Sequence, residues 1–278
     1  MDRLALLIGN RLVGNAGNAA GLELCLPPAS LRFGAACSIA LTGADCSARL
    51  EGSPLPVGQR AEVAAGMTLA LAAATSGARA YLCVAGGIDV PLVMGSRSTD
   101  LQARMGGLEG RMLRRGDILN VLPARSPRRY EAVPVSPAPA GLIRVMAGPD
   151  FEEFEPRARE ALIESSWRVT PQSNRMGYRL EGPVLLRSRD TDLRSHAVFP
   201  GVIQVPPGGA PIVLMADAHA TGGYPRIATV IAADLWRLAQ VAPGASIRFA
   251  TCTRAAAVLA WQEQQNLLQE PKGESDAH

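Results

Sequence analysis

The apolar positions at the start of the chain fall at helical spacing. Leu4, Leu7, Ile8 and Leu12 share one face, Asp2 stands at the N-cap position, and Gly14-Asn15 ends the pattern, so this segment predicts a helix. Beyond it the apolar runs are short and read as strands at 22–26, 38–41, 69–71 and 80–84. Pro27-Pro28, Thr42-Gly43, Gly52-Ser53-Pro54 and Ser76-Gly77 separate them as turn signals. Turns at this spacing predict a β-barrel or a β-sandwich. Gly116-Asp117 then leads into one more predicted strand at 118–122.

Between Pro123 and Pro139 the pattern gives way to five prolines with Arg125, Arg128 and Arg129 among them, the composition of an extended linker. A second unit starts near Leu142, with a strand at 143–146 and a helix over 152–165. Strands are predicted at 184–186, 202–205, 212–215, 227–231 and 246–250, with a short helix at 234–240. A last helix covers 254–268, and a polar tail, expected to be disordered, covers 269–278. The expected organisation is therefore a first subdomain over 2–122, a linker over 123–141, a second subdomain over 142–252, and a helix and tail over 253–278.

Composition narrows the function classes. The 28 Lys+Arg and 25 Asp+Glu leave a net charge of +3 with no block of like charges, which argues against a nucleic-acid binder working mainly by charge. With 28 glycines and 21 prolines in 278 residues, the chain reads as many short elements joined by turns rather than as a helix bundle. Its five cysteines are odd in number and lack any CxxC pair, which predicts reduced thiols and a cytoplasmic setting. No apolar run is long enough for a membrane helix, and the short stretch Leu4–Ile8 behind Asp2-Arg3 is no signal peptide.

The residues that bear chemistry cluster in a few turns. Of the three histidines, only His219 has a carboxylate (Asp217), a hydroxyl (Thr221) and a glycine pair (Gly222-Gly223) close in sequence, as a general base with an orienting partner requires. His196 lies in Arg194-Ser195-His196-Ala197, without a glycine turn of that kind beside it. Motifs for zinc or for a nucleophile elbow are absent, so no metal site is expected. Met105–Arg111 reads as a tight glycine turn, although backbone N–H groups of such turns can cradle oxyanions. Two further clusters suit anion binding through guanidinium and hydroxyl groups: Ser96, Arg97, Ser98 and Thr99, and Asn174, Arg175 and Arg179 around Gly177. Convergence of these polar turns with the Asp217–Tyr224 loop on one cleft is the expectation on which a site rests.

An ordered series of motifs carries a resemblance. It runs through Gly86-Gly87-Ile88-Asp89-Val90-Pro91, Met94–Leu101, Gly106-Gly107 with Gly110-Arg111, and Ser173–Gly182. It continues through Gly201–Pro206, Pro211–Asp217 and Thr221-Gly222-Gly223-Tyr224-Pro225. The series resembles the family named for the 5-oxoprolinase C subunit, allophanate hydrolase subunit 2 and the biotin-dependent carboxyltransferase domain of urea carboxylase, over about residues 2–252. The resemblance implies a mainly β fold of two cyclophilin-like β-barrel subdomains with a few short helices. It implies ATP-dependent opening of 5-oxoproline to glutamate, with ATP and magnesium, and as partners the enzyme's kinase-inhibitor-like B subunit and its A subunit. Alternatives are a carboxyltransferase acting with a separate biotin carrier, and a non-catalytic regulator that binds the kinase-inhibitor-like partner. The chain has no Met-Lys-Met carrier motif, so no covalent biotin is expected on it.

The resemblance also implies roles. Asp217 would orient the lactam N–H or accept its proton, Gln204 and His219 would complete a polar wall, and Gly222-Gly223 would admit close backbone approach. Ser96, Arg97, Ser98, Thr99, Asn174, Arg175, Arg179, Thr221 and Tyr224 would bind substrate or phosphate. Two departures from the family pattern stand out. Met1-Asp2 matches the end of a Gly-Ala-Met-Asp turn, so an N-terminal strand of the first barrel is expected to be missing. His219 stands where the family has Gln; an amide donates and accepts at once, an imidazole only in one tautomer.

Overall fold

Asp2 sets the first element. Its carboxylate accepts a hydrogen bond from the Ala5 N–H at 2.8 Å and caps α1 (Arg3–Leu12), which buries Ala5, Ile8 and Leu12. The computed structural model of the chain describes residues 1–25, 28–124, 142–189 and 193–268. The predicted linker, apart from 123–124, and the predicted tail lie outside them. The chain divides into two compact units, Asp2–Ala138 and Pro139–His278, with Met1 grouped with the latter.

The N-terminal unit contains β1 (Leu22–Cys25), β2 (Ala29–Arg32), β3 (Cys37–Asp45), β4 (Arg49–Leu50), β5 (Ser53–Pro54), β6 (Gln59–Val63), β7 (Thr68–Leu71) and β8 (Ser76–Val84). They form two four-stranded sheets, ordered β1-β8-β3-β6 and β2-β7-β4-β5. β8 is buried from Ala78 through Val84, which explains its small and apolar residues on either side of Arg79: one face meets the core of Ile39, Leu41 and Leu69, and the other meets α1. α1 lies close because position 9 is glycine; a Cβ there would stand 2.7 Å from the Cys83 sulfur. Thr42 reinforces the contact by donating its hydroxyl to the Ala5 carbonyl at 2.7 Å.

The second unit is built from β9 (Leu142–Ala147), α2 (Pro156–Glu164), β10 (Ser166–Val169), β11 (Gly177–Glu181), β12 (His196–Ala197), β13 (Val202–Gln204), β14 (Ile212–Leu214), β15 (Thr221–Gly222), β16 (Arg226–Val230), α3 (Leu235–Ala239), β17 (Ser246–Thr251) and α4 (Arg254–Leu268). Seven of the strands close a barrel in the order β10-β11-β14-β13-β16-β9-β17. Every neighbouring pair is antiparallel except β9 and β17, which run parallel and complete the ring. Trp167, Tyr178, Phe154 and Phe249 fill the interior. The polar tips inside are satisfied: Trp167 Nε1–H donates to the Leu162 carbonyl at 3.0 Å and the Tyr178 hydroxyl to the Val241 carbonyl at 3.1 Å. β12 and β15 pair as a separate two-stranded ribbon.

Several predicted elements differ from those observed. The 118–122 segment is not a strand; Val121 makes one isolated bridge to Ile88, because the facing segment turns through Gly86 and Gly87 at positive φ. The 184–186 segment is not a strand either. Only Leu185 is buried, and it donates its N–H to the Gly209 carbonyl at 3.0 Å in a stretch bounded by Pro183 and faced by a proline-containing loop. The predicted 152–165 helix breaks: a 3-10 turn spans Phe151–Glu153 and α2 starts afresh at Pro156, which has no N–H to continue a helix but suits a first turn. The mainly β expectation holds, with a closed barrel in the second unit and two sheets in the first.

Candidate functional site

The β10–β11 loop and the segment after β14 come together through backbone and side chain. Met215 N–H donates to the Met176 carbonyl and Asp217 N–H to the Arg175 carbonyl, both at 2.9 Å. This pairing aligns a bidentate ion pair, with Arg175 Nε 2.7 Å from Asp217 Oδ2 and Nη2 3.0 Å from Oδ1. Each side chain is about one quarter exposed, so the pair is neither sealed in the core nor fully solvated. Asn174 shapes the turn: its side-chain oxygen accepts from the Met176 N–H at 2.8 Å. Two of the three sequence-predicted turns thus meet within the second unit. The third, Ser96–Thr99, belongs to the N-terminal unit.

Arg179 goes elsewhere. Gly177 and Arg179 alternate with the buried Tyr178 and Leu180, so Arg179 leaves the outer face of β11. It borders an open groove of about 470 Å3 with Thr170, Gln172, Pro206, Pro211 and Ile212, a groove that Arg175 and Asp217 do not line.

Gln204 ends β13 and is 5% exposed. Its Nε2 donates to the Tyr224 carbonyl at 3.2 Å. Gly222 packs against it: a Cβ at 222 would lie 2.6 Å from Gln204 Nε2 and 3.2 Å from Oε1, so a larger residue there would push the Gln204 amide out of its present place. Gly223 is different: a Cβ there would make only an ordinary contact, with the Leu193 carbonyl at 3.8 Å. Thr221, Tyr224 and His219 are exposed.

One cluster escaped the sequence reading. Asp150 accepts from the Arg226 backbone N–H and from Nε, both at 2.9 Å, and from Nη2 at 3.3 Å. Burial pushes its pKa up, but the Arg226 hydrogen bonds, followed by the charges of Arg226 and His196, outweigh this and hold it below the ordinary 3.8. Arg226 sits opposite Gln204 in the β13–β16 ladder, and His196 sits opposite Gly222 in the ribbon. Asp150, Arg226 and His196 therefore border the Gln204–Tyr224 face. The available signal was Pro225-Arg226 directly after the Thr221–Tyr224 motif; the partner Asp150 lies too far away in sequence to be seen.

In the N-terminal unit, Arg97 Nη1 donates to the Val90 carbonyl at 2.6 Å, and the Ser96 hydroxyl oxygen accepts from the Ser98 N–H at 3.1 Å. The glycine turn behind them is occupied by the chain itself. A Cβ on Gly106 would meet the Ser98 carbonyl oxygen at 2.1 Å, and one on Gly107 would meet Thr99 Oγ1 at 1.9 Å, both at positive φ. Close packing of the Ser96–Thr99 segment accounts for those glycines without a phosphate. Among the described residues no group of three His, Cys, Asp or Glu side chains is placed to hold a metal ion, and no helix is long and apolar enough to cross a membrane.

Barrel, ribbon and paired loops define a carboxyltransferase-type β chain, and comparison with known proteins gives the same class. Residues 1–251 match the family described as carboxyltransferase domain, subdomain A and B. The chain belongs to this family. It is 47% identical to the C subunit of 5-oxoprolinase from Escherichia coli (strain K12), over 97% of this chain and 87% of that protein. It is 33% identical to urea amidolyase of Saccharomyces cerevisiae over 90% of this chain, but spans only 15% of that protein. The crystal structure of Kluyveromyces lactis urea carboxylase superimposes with a TM-score of 0.91 at 31% identity, covering 97% of this chain and 26% of the other.

Proposed function

We propose that the chain is a C-type component of an ATP-dependent 5-oxoprolinase, which opens 5-oxoproline to glutamate together with partner subunits in the cytoplasm. The observation that carries this reading is the 47% identity with the 5-oxoprolinase C subunit over nearly the whole of both chains. A lactam carbonyl is a poor electrophile. Phosphorylation of its oxygen by ATP converts it to an imidate-like ester that water attacks, and the enzyme must hold the substrate and stabilise the phosphoryl charge. In this reading Asp217, held by the two hydrogen bonds from Arg175, would orient the lactam N–H or take its proton. Gln204 supplies an amide at the neighbouring face, and Gly222 lets the backbone approach. Magnesium would be carried by the nucleotide phosphates, as is common for this ion. The partners are the kinase-inhibitor-like B subunit and the A subunit of such an enzyme.

The test is assembly with homologues of the B and A subunits, followed by measurement of ATP-dependent glutamate release from 5-oxoproline. The assembled enzyme is expected to turn over, and Asp217→Ala to lower kcat by about 100-fold or more. Full activity in both Asp217→Ala and Arg97→Ala would remove the site assignment, and no glutamate from the intact assembly would remove the function. The urea amidolyase relative supports a second reading, carboxyl transfer from a separate biotin carrier. Biotin-dependent carboxylation of urea in the same preparation, without glutamate release, would select it.

A further inference from the structure

On the outer side of the barrel, the neighbouring strands β10, β11 and β14 carry a row of side chains that the Asp217 region does not use. Arg168 is opposed to Glu181 and Val169 to Leu180 across β10 and β11, and the Thr170 N–H continues this ladder by donating to the Arg179 carbonyl at 2.9 Å. Arg179 is in turn opposed to Ile212 of β14. Val169, Leu180 and Val213 belong to the core, so by alternation Thr170, Arg179 and Ile212 all point outward. All three line the groove of about 470 Å3 described above.

The lining combines one cation with an apolar wall. Arg179 is exposed, and its backbone is fixed: its N–H donates to the Ser173 hydroxyl at 3.0 Å. Its guanidinium has no hydrogen bond or ion pair among the described residues. The carboxylate that also lines the groove, Glu181, is taken by Arg168. The Thr170 hydroxyl oxygen is buried, which leaves Arg179 and the exposed Gln172 amide as the side-chain donors of the groove. Pro206, Pro211 and Ile212 supply the apolar surface. The prolines bring no N–H and a fixed φ, and the Leu180 N–H ties their loop to β11 by donating to the Pro211 carbonyl at 2.9 Å. The wall is therefore formed before any ligand arrives, which lowers the ordering cost of binding.

We propose that this groove is a binding site for a small monocarboxylate with an apolar, ring-like body, its carboxylate held by the Arg179 guanidinium and its body lying on Pro206, Pro211 and Ile212. The planar fork of an arginine matches a carboxylate with two parallel hydrogen bonds. Charge decides the class of ligand. Arg168 and Glu181 cancel each other, so Arg179 leaves the groove with a single positive charge. That balances one carboxylate and falls short of a nucleoside triphosphate, whose roughly four negative charges call for a metal ion or several cations. The site stands apart from the 5-oxoprolinase reading, because neither Asp217 nor Arg175 lines it.

The test is an NMR titration of the full 15N-labelled chain with N-acetylproline, its uncharged carboxamide and tripolyphosphate. N-acetylproline is expected to shift the backbone amides of Arg179, Gly182 and Gly208 saturably, and the carboxamide to bind about tenfold more weakly. Arg179→Gln should abolish that preference while the amide shifts of the barrel core stay in place. Arg179→Lys should keep part of it, since an ammonium retains the charge without the fork. No saturable shift at these amides with N-acetylproline would overturn the proposal, as would equal affinity for acid and carboxamide in the wild-type chain. A preference for the acid that survives in Arg179→Gln would overturn the assignment of the carboxylate to Arg179. Tighter binding of tripolyphosphate at the same amides would overturn the class of ligand.

Discussion

At the scale of single residues, arginine–carboxylate pairs hold the second unit's polar regions in place, and their acid response is predictable. Asp150 has its pKa lowered in the folded chain, so its ionisation favours folding. That contribution is fully present above the ordinary value of 3.8 and is lost as pH falls through the lower folded value. Asp150→Asn should lower the urea midpoint at neutral pH and flatten the fall in stability under acid, a difference that denaturation curves between pH 6 and pH 2 would record; an unchanged acid profile would contradict it. Asp217, Gln204 and Gly222 could be picked out in the sequence because each lies inside a dense local motif. His196 and Asp150 could not. Their significance comes from a ribbon register and a loop contact spanning dozens of positions, which no local motif announces.

At the scale of elements, the predicted segments that survive are those where pattern and packing agree. α1 has its cap, its apolar face and its glycine stop, and α4 matches the expected 254–268 range. β10 and β11 went unseen because their outward positions carry Arg168, Arg179 and Glu181, so that polar residues masked a clean alternation with Trp167, Val169, Tyr178 and Leu180. The 118–122 and 184–186 runs misled for the opposite reason: they are apolar but largely exposed, and no continuous neighbour strand accepts them. Close approach of elements can be tested at Gly182, where a Cβ would lie 2.7 Å from the fully buried Trp167 ring. The ring has no room to retreat, so Gly182→Ala should destabilise the chain by about 1–3 kcal/mol in urea unfolding, and a neutral result would show that the β11 end relaxes freely.

At the scale of the whole molecule, the barrel of the second unit is joined in space by strands far apart along the chain. β17 lies between β10, its antiparallel neighbour, and β9, its parallel one, so residues near 142 and near 250 share one seam. The ring therefore cannot be finished until the last strand has been synthesised. Until then β9 and β10 each present a bare edge, the kind of surface that recruits other chains. A version cut before Ser246 should aggregate rather than simply lose stability, as light scattering during refolding would show. The same geometry delays completion of this unit to the end of its own synthesis, whereas the sheets of the N-terminal unit have all their strands in hand by Val84.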